Sequence, residues 1–556
     1  MFASSQAPPS FTPQSTPVIR STSRLVQVSV VVLDKRGQSV SGLTRDDFEL
    51  FENGKPQRID VFAPFTRPAA APPAPSTVAP GTFSNRGGPQ ARVAGTVSVV
   101  LLDGLNTRIE DQQNAKQQVI RFLEQLRPDD RVALYTLGSS PRVLHDFTRD
   151  TASLLAAIQK FRGRSSVEMD PALTTKLVGT PDDEAIGTWL SEANTRVENF
   201  MEQTRALRTL DALEAIADHM AHLPGRKNLL WVSGGFPFAF GQDDLPSQNV
   251  LSAEKRQFFH EMERTARALN DANVVLYPVD ARGLIGAFTD PNFNQAGAVT
   301  GRLRRTFGGG MEPVRSPIVS LSDTGPTIET MKELAERTGG RAFYNSNDIR
   351  SALRRAVDET RDTYELGFYP THGKWDGSFR ELRVRVRRPG VQVRHRNGYI
   401  AYAGQPKTAE DHAALMNSAA RNPLDATALG VSVRLSPVPE GIGSPRTFEI
   451  TLDPKDLVFR QENGRWIGAV RVLLAKKNSE GLLGNWETHT INLRLTQFSY
   501  DRAMREGLHL DGQFRMPPEV RELRVVVCDD NSGSMGSLSV PLTAQASLTR
   551  GSGPSP

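Results

Sequence analysis

The residues best placed for chemistry are Asp103-Gly104-Leu105-Asn106-Thr107. They follow an apolar run at 97–102 of buried-strand type and precede a helical pattern over 112–126. The carboxyl end of a buried strand is where α/β folds hold ligands. This loop is therefore a candidate site, although an Asp ending a strand also serves as an ordinary turn or cap. His219 and His222, with Asp218 beside them, stand three apart on one helical face. They could form a metal pair, but no third ligand is indicated, and positive charge near a helix C-terminus is favoured by the helix dipole alone. The single cysteine, Cys528, excludes an internal disulfide and a Cys-based zinc site. No Gly-x-Ser-x-Gly elbow, Walker loop or Rossmann glycine fingerprint occurs.

The elements that must position these residues fall into three grammars. Residues 24–62 read as strand, with a turn at Asp34-Lys35-Arg36-Gly37 and a hairpin at Asn53-Gly54. Residues 64–95 carry seven prolines among alanines and glycines, the composition of a semi-stiff linker. From 96 to 362, strands alternate with helices, which implies a mainly parallel sheet covered on both faces. Insertions near 162–192 and 281–325 interrupt that series. Residues 363–402 return to strand, and Leu382, Val384 and Val386 alternate with Arg383, Arg385 and Arg387. That alternation reads as a solvated sheet face, and the run lacks the aromatic interleaving an RNA surface needs. A polar, Ala-rich connector covers 403–426. Short strands punctuated by Gly, Asn and Pro over 427–545 predict an antiparallel β-sandwich. Tails at 1–22 and 546–556 read as disordered.

Several motifs resemble the VWFA-related domain family of bacterial secreted proteins, built on the von Willebrand factor type A domain. They are Arg24-Leu25-Val26-Gln27-Val28, Gly42-Leu43-Thr44-Arg45-Asp46-Asp47-Phe48, Glu52-Asn53-Gly54-Lys55-Pro56, Leu223-Pro224-Gly225-Arg226-Lys227 and Arg394-His395-Arg396-Asn397-Gly398-Tyr399. The resemblance spans about 24–402. It implies an α/β, von Willebrand A-like, doubly wound and mostly parallel sheet. It also implies a Mg²⁺ site that such domains build from Asp-x-Ser-x-Ser, a Thr and a second Asp.

This chain departs from that site. Asp103 and Thr107 match the first loop, but Leu105 replaces a hydroxyl. Ser233-Gly234-Gly235 stands where such domains often read Thr-Asp-Gly, so the second carboxylate is missing. Ser165, Ser166 and Thr204 are candidates for the second loop. The resemblance thus makes Asp103, Thr107 and Ser233 the metal candidates of a degenerate site that holds Mg²⁺ weakly or holds no cofactor. Asp530-Asn531-Ser532-Gly533-Ser534 has the full Asp-x-Ser-x-Ser spacing, but it lies between two strands and reads as a hairpin loop.

The AVILMFWYC set makes up 38% of 556 residues, with 45 glycines. Together they reach the globular range of ~45–50%, which excludes wholesale disorder. No apolar run approaches the ~18–20 residues of a membrane span. A net charge of +5 is weak ground for a nucleic-acid partner. Residues 1–7 lack a basic n-region and an apolar core, yet resemble the tail end of a signal peptide. A start site called too late, and hence export, is one reading, and a cytoplasmic protein is the other. The resemblance implies a non-enzymatic protein that binds an unknown protein or cell-surface ligand. An intracellular assembly factor, and a hydrolase with a site hidden in the loop insertions, are the alternatives. Finally, ~40 residues without disulfide or metal rarely hold a core. The β segments at 23–63 and 363–402 are therefore expected to pack together, with the α/β domain inserted between them.

Overall fold

The computed structural model describes residues 25–66, 81–86, 97–163, 184–223, 225–237, 253–283, 321–371, 374–402, 408–436, 446–478, 481, 486–514 and 520–542. The two expected tails, most of both insertions, Ser165 and Ser166 lie outside these residues. The chain opens with β1 (Val26–Leu33), β2 (Phe48–Glu52), β3 (Lys55–Gln57), β4 (Val61–Thr66) and β5 (Thr82–Ser84). It continues through β6 (Val97–Asp103), α1 (Ile109–Leu123), β7 (Val132–Leu137), β8 (Pro141–Thr148), α2 (Thr151–Lys160) and α3 (Glu184–Met220). Next come β9 (Lys227–Ser233), α4 (Ala253–Asp271), β10 (Val274–Asp280), α5 (Leu321–Thr338) and α6 (Ile349–Glu359). Strands β11 (Asp362–Phe368), β12 (Asp376–Val386), β13 (Gln392–Arg394) and β14 (Gly398–Tyr402) follow, then α7 (Ala409–Arg421). The last stretch holds β15 (Val431–Leu435), β16 (Arg446–Leu452), β17 (Arg460–Glu462), β18 (Arg465–Lys477) and β19 (Glu487–Leu495). It ends with α8 (Gln497–Glu506), β20 (Leu508–Phe514), β21 (Glu522–Asp529) and β22 (Met535–Pro541).

The α/β body is a five-stranded sheet in the order β10-β9-β6-β7-β8. Four strands are parallel, and β8 runs antiparallel to β7. Every residue of β6, β7, β9 and β10 is buried, as a sheet covered on both faces demands. Successive side chains point to opposite faces. Val99 and Leu101 therefore join Leu210 and Leu213 of α3, Met262 of α4 and Leu334 of α5 in one core. Val100 and Leu102 join Val119 of α1, Leu154 of α2 and Leu353 of α6 in the other.

Strands from before and after this body interleave. β11 lies between β1 and β4 and is antiparallel to both, so that Leu366 faces Val28 on one side and Phe62 on the other. β12 takes β2 as its partner, with Val384 opposite Leu50. The two four-stranded sheets share one apolar core. The β2–β3 hairpin turns at Asn53 and Gly54 with φ of 46° and 76°, the left-handed pair that Asn-Gly supplies cheaply. Arg226 fastens the α/β body to this unit. Its guanidinium donates to Tyr277 Oη at 3.1 Å, to the Gly339 carbonyl at 3.3 Å and to Ser29 Oγ of β1 at 3.4 Å. Gly339 follows α5 with φ of 78°, and a Cβ there would lie 2.7 Å from the Arg396 nitrogen, so only glycine allows this approach.

The C-terminal strands form two antiparallel groups, β20-β16-β15 and β17-β18-β21-β22 with β19 on β18, around one core. β5 pairs with β15 as an added edge strand. Residues 81–86 therefore do not act as linker, although they lie within the Pro-rich stretch. Asn85 Nδ2 donates to the Ala426 and Leu429 carbonyls, each at 2.8 Å, and Val431 N donates to Asn85 Oδ1 at 2.9 Å. A three-residue strand leaves no periodicity to read, which is why composition alone suggested a spacer. The expected connector also holds a helix, α7, which opens on a Thr408–Asp411 capping box.

The body and the C-terminal strands meet along α3. Thr427 Oγ1 donates to the His219 and Asp218 carbonyls, and a His219 ring nitrogen lies 2.8 Å from the Asp425 carbonyl. A cleft of about 20 Å³ beside this contact is lined by Asp211, Glu214 and Asp218. Burial, with the Glu214 carboxyl adding to it, pushes Asp218 up to about 8. The folded protein therefore keeps a proton that the unfolded chain gives up near its ordinary value of ~3.9. In that window the folded state binds more protons, so stability falls as pH rises. The urea midpoint should drop between pH ~4 and ~8. Asp218→Asn should flatten that drop and be the more stable protein at its upper end. A variant with the wild-type slope would exclude Asp218 as its source.

Candidate functional site at the carboxyl edge of the sheet

Strand order reverses at β6, which has β7 on one side and β9 on the other. Ligands of open α/β sheets bind at such a switch point. Asp103 ends β6 and Ser233 ends β9, both buried. Asp103 Oδ1 accepts from the backbone nitrogens of Leu105 and Asn106, each at 3.0 Å. Oδ2 accepts from Asn106 Nδ2 at 2.9 Å, Trp231 Nε1 at 3.0 Å and Ser233 Oγ at 2.7 Å. Thr107 Oγ1 accepts from Gly234 N at 2.9 Å and so ties the first loop to the third. Asn106 Nδ2 also reaches Thr209 Oγ1 of α3 at 2.7 Å. Gln112 Nε2 donates to the Thr107 carbonyl at 2.7 Å. The loops press so closely that a Cβ on Gly234 would stand 2.7 Å from the Asn106 carbonyl oxygen.

The electrostatics follow from burial. Withdrawal from water pushes the Asp103 carboxyl above its usual range, and donors from Asn106, Ser233 and Trp231 work against that rise. A second carboxylate, Asp280, ends β10, and Arg282 grips it with two bonds of 2.9 Å, a bidentate pair. A hard dication such as Mg²⁺ asks for near-octahedral oxygen ligands. Here the Asp103 carboxylate already meets five N–H and O–H donors, and Leu105 is fully buried in the core. Among the described residues no cluster of three His, Cys, Asp or Glu could hold a metal ion. The Asp103 oxygens that the resemblance would offer to a cation are thus met by protein donors.

The structure brings Asp103, Thr107 and Ser233 together, with Asn106 of the same loop, and with Thr209 and Trp231 as partners that sequence reasoning did not name. Thr204 instead bonds its own helix, at the Phe200 carbonyl. A His219 ring nitrogen lies 2.8 Å from the Asp425 carbonyl and the His222 backbone nitrogen donates to Thr427 Oγ1, while burial pushes the His222 imidazole down to about 4. Asp530 sits in the β21–β22 hairpin loop, where Asp529 N donates to the Ser534 carbonyl and Arg471 holds the Asp530 carboxylate. Arg383 and Arg385 lie on the exposed side of β12, opposite the buried Leu382 and Val384, and Arg387 is exposed just beyond the strand. Among the described residues no helix is long and apolar enough to cross a membrane.

No protein-family model and no curated protein sequence matches the chain. Solved structures do. An aerotolerance-related membrane protein from Bacteroides fragilis is 12% identical, with a TM-score of 0.24, over 48% of this chain and 100% of that one. The conserved hypothetical protein BatB from Bacteroides thetaiotaomicron is 11% identical, with a TM-score of 0.22, over 48% and 100%. The vWF domain of the type V pili tip protein Mfa5 from Porphyromonas gingivalis is 17% identical, with a TM-score of 0.17, over 25% of this chain and 38% of that one. These are likenesses over part of the chain and carry no argument. The fold rests on its own strand order and burial.

Each donor to Asp103 should be felt in stability. Trp231→Phe keeps an aromatic ring but removes the indole N–H and some buried volume, at an expected cost of about 2–4 kcal/mol. Asp103→Asn turns an acceptor into a donor among donors and should cost about 2–3 kcal/mol. Urea unfolding of both variants reads this out, and an unchanged midpoint in Asp103→Asn would show that the carboxylate does not hold the loops.

Proposed function

We propose that this chain is a non-enzymatic binding protein of the secreted or cell-surface kind. It holds a protein or surface ligand on the carboxyl rim of its von Willebrand A-like body, and it does so without a bridging cation. The observation that carries this reading is the closure of Asp103 by five protein donors. Trp231 Nε1 and Asn106 Nδ2 supply partial positive charge in place of a metal, so the metal site of Asp103, Thr107 and Ser233 is degenerate. The C-terminal strands act as a β-sandwich that braces the body. The rim itself has reach. α3 continues through Glu184–Arg208 on the N-terminal side of Thr209, about 37 Å at 1.5 Å per residue, and Phe200 on it is 63% exposed.

Titration calorimetry of the full chain with MgCl₂ should show no saturable heat. Capture of a ligand from cell-surface extract should be equal in EDTA and in millimolar Mg²⁺, and should fail with Phe200→Asp. Micromolar Mg²⁺ affinity abolished by Asp103→Ala, or capture lost in EDTA, would overturn the cation-independent reading.

A further inference from the structure

A cavity of about 450 Å³ lies where the three units meet, away from the rim. One wall is a face of α4, where Glu263, Arg267 and Asn270 recur at helical spacing. Another is the start of β1 at 25–27, and a third is the stretch 396–400. Ser532 and Ser534 of the β21–β22 loop close it. Two motifs of the family resemblance, Arg24–Val28 and Arg394–Tyr399, thus reach one cavity from distant parts of the chain, together with the Asp530–Ser534 loop. The pairing of β13 with β1 brings the first two together, and the β21–β22 loop reaches them from the C-terminal strands. The volume falls within the ~300–1,000 Å³ typical of small-ligand sites.

Two neighbouring polar groups there lack partners. Arg396 Nη2 donates to the Gln27 carbonyl at 2.6 Å, but its Nε is buried with no hydrogen-bond partner among the described residues. Asn397 Oδ1 is buried and unpartnered in the same sense. Asp271 and Glu365 act on the guanidinium through their fields, while burial pushes its pKa down. Unmet buried donors and acceptors are costly, and a ligand that answers both would relieve that cost. Beside them stands an aromatic wall. The Arg396 guanidinium lies 6.0 Å from the Tyr399 ring, Trp375 lies 6.2 Å from Tyr399, and the Phe379 ring is 47% exposed.

We propose that this cavity binds an N-acylated α-amino carboxylate with an apolar or aromatic side chain. Its carboxylate meets Arg396, its amide N–H donates to Asn397 Oδ1, and its side chain lies against Trp375, Phe379 and Tyr399. The C-terminal residue of a peptide and a free acylated amino acid share this chemistry. The proposal does not depend on the rim reading.

Intrinsic tryptophan fluorescence and calorimetry on the full chain test it, with N-acetylphenylalanine, its amide, and a tetrapeptide ending in phenylalanine as probes. N-acetylphenylalanine should bind saturably with Kd below about 1 mM. The amide, which lacks the carboxylate, should bind at least about tenfold more weakly, as should the acid to Arg396→Gln. Phe379→Ala, which removes an exposed ring, should also weaken binding and leave the melting temperature unchanged. A tetrapeptide that binds about tenfold tighter than the acylated amino acid identifies a peptide terminus as the occupant, and equal affinity identifies the free compound. No saturation by any of the three probes, equal affinity for acid and amide, or undiminished binding in both folded variants would overturn the proposal.

Discussion

A carboxylate withdrawn from water has to be met by a cation or by hydrogen-bond donors. Asp103 is withdrawn at the one place in the sheet where strand order reverses, so the groups that meet it come from both sides of that point. Its own loop gives two backbone N–H groups and the Asn106 amide, and β9 gives the Trp231 indole and the Ser233 hydroxyl. Asn106 then passes the network to α3 through Thr209. One side chain therefore fixes a strand end, two loops and a helix. Moving any of them would leave a buried acceptor short of donors, which makes this edge a rigid base for whatever the rim holds. The same constraint accounts for Gly234, since the loops that share Asp103 leave no room for a Cβ between them.

The units around the body are held by similar exchanges and not by apolar area alone. Arg226 spans from the body to β1, and the Leu223–Lys227 motif earns its place by putting a buried guanidinium among three acceptors. Its neighbour Lys227 is buried as well, donating to the Leu223 carbonyl at 2.5 Å, and burial pushes it down to about 8. Asn273 Nδ2 adds a bond to Glu365 of β11 at 3.0 Å. On the other side the Asn85 side chain donates to the Ala426 and Leu429 carbonyls and the Thr427 hydroxyl to the Asp218 carbonyl. Buried polar groups with specific partners define one docking geometry, whereas an apolar face alone would tolerate sliding.

Strand–helix alternation and the largely apolar centres of β6, β7, β9 and β10 made the α/β body legible, because a sheet covered on both faces favours apolar residues at successive positions of its strands. The Asn53-Gly54 turn was legible for a local reason, its two left-handed residues. β8 was not, since its burial alternates irregularly and its register to β7 shifts twice. β5, α7 and α8 were missed because short or polar segments carry little periodicity. At the site, Asp103, Thr107 and Ser233 could be placed by motif. Trp231 could not, because an indole in an apolar strand reads as core until its N–H is seen to point at a carboxylate. Thr209 was hidden for the same reason, as one hydroxyl on a long helix whose level relative to the sheet edge depends on where the helix begins.

The threading of the chain gives these local choices a collective consequence. Between β4 and β6 the polypeptide leaves the first β unit, adds β5 to the C-terminal strands, and returns to start the central strand of the body. After α6 it goes back to the first unit to place β11 between β1 and β4. The α/β body keeps its five strands within one continuous stretch, whereas the first β unit draws strands from both sides of that stretch and the C-terminal strands take β5 from before it. Independent hinge motion, the default for domains strung in series, is therefore opposed here by covalent lacing. The cavity between the units takes its walls from α4 of the body, from the start of β1 and from the β21–β22 loop. A site assembled this way is preorganised without any single unit having to be rigid, and preorganisation is what lets a shallow set of contacts discriminate among ligands.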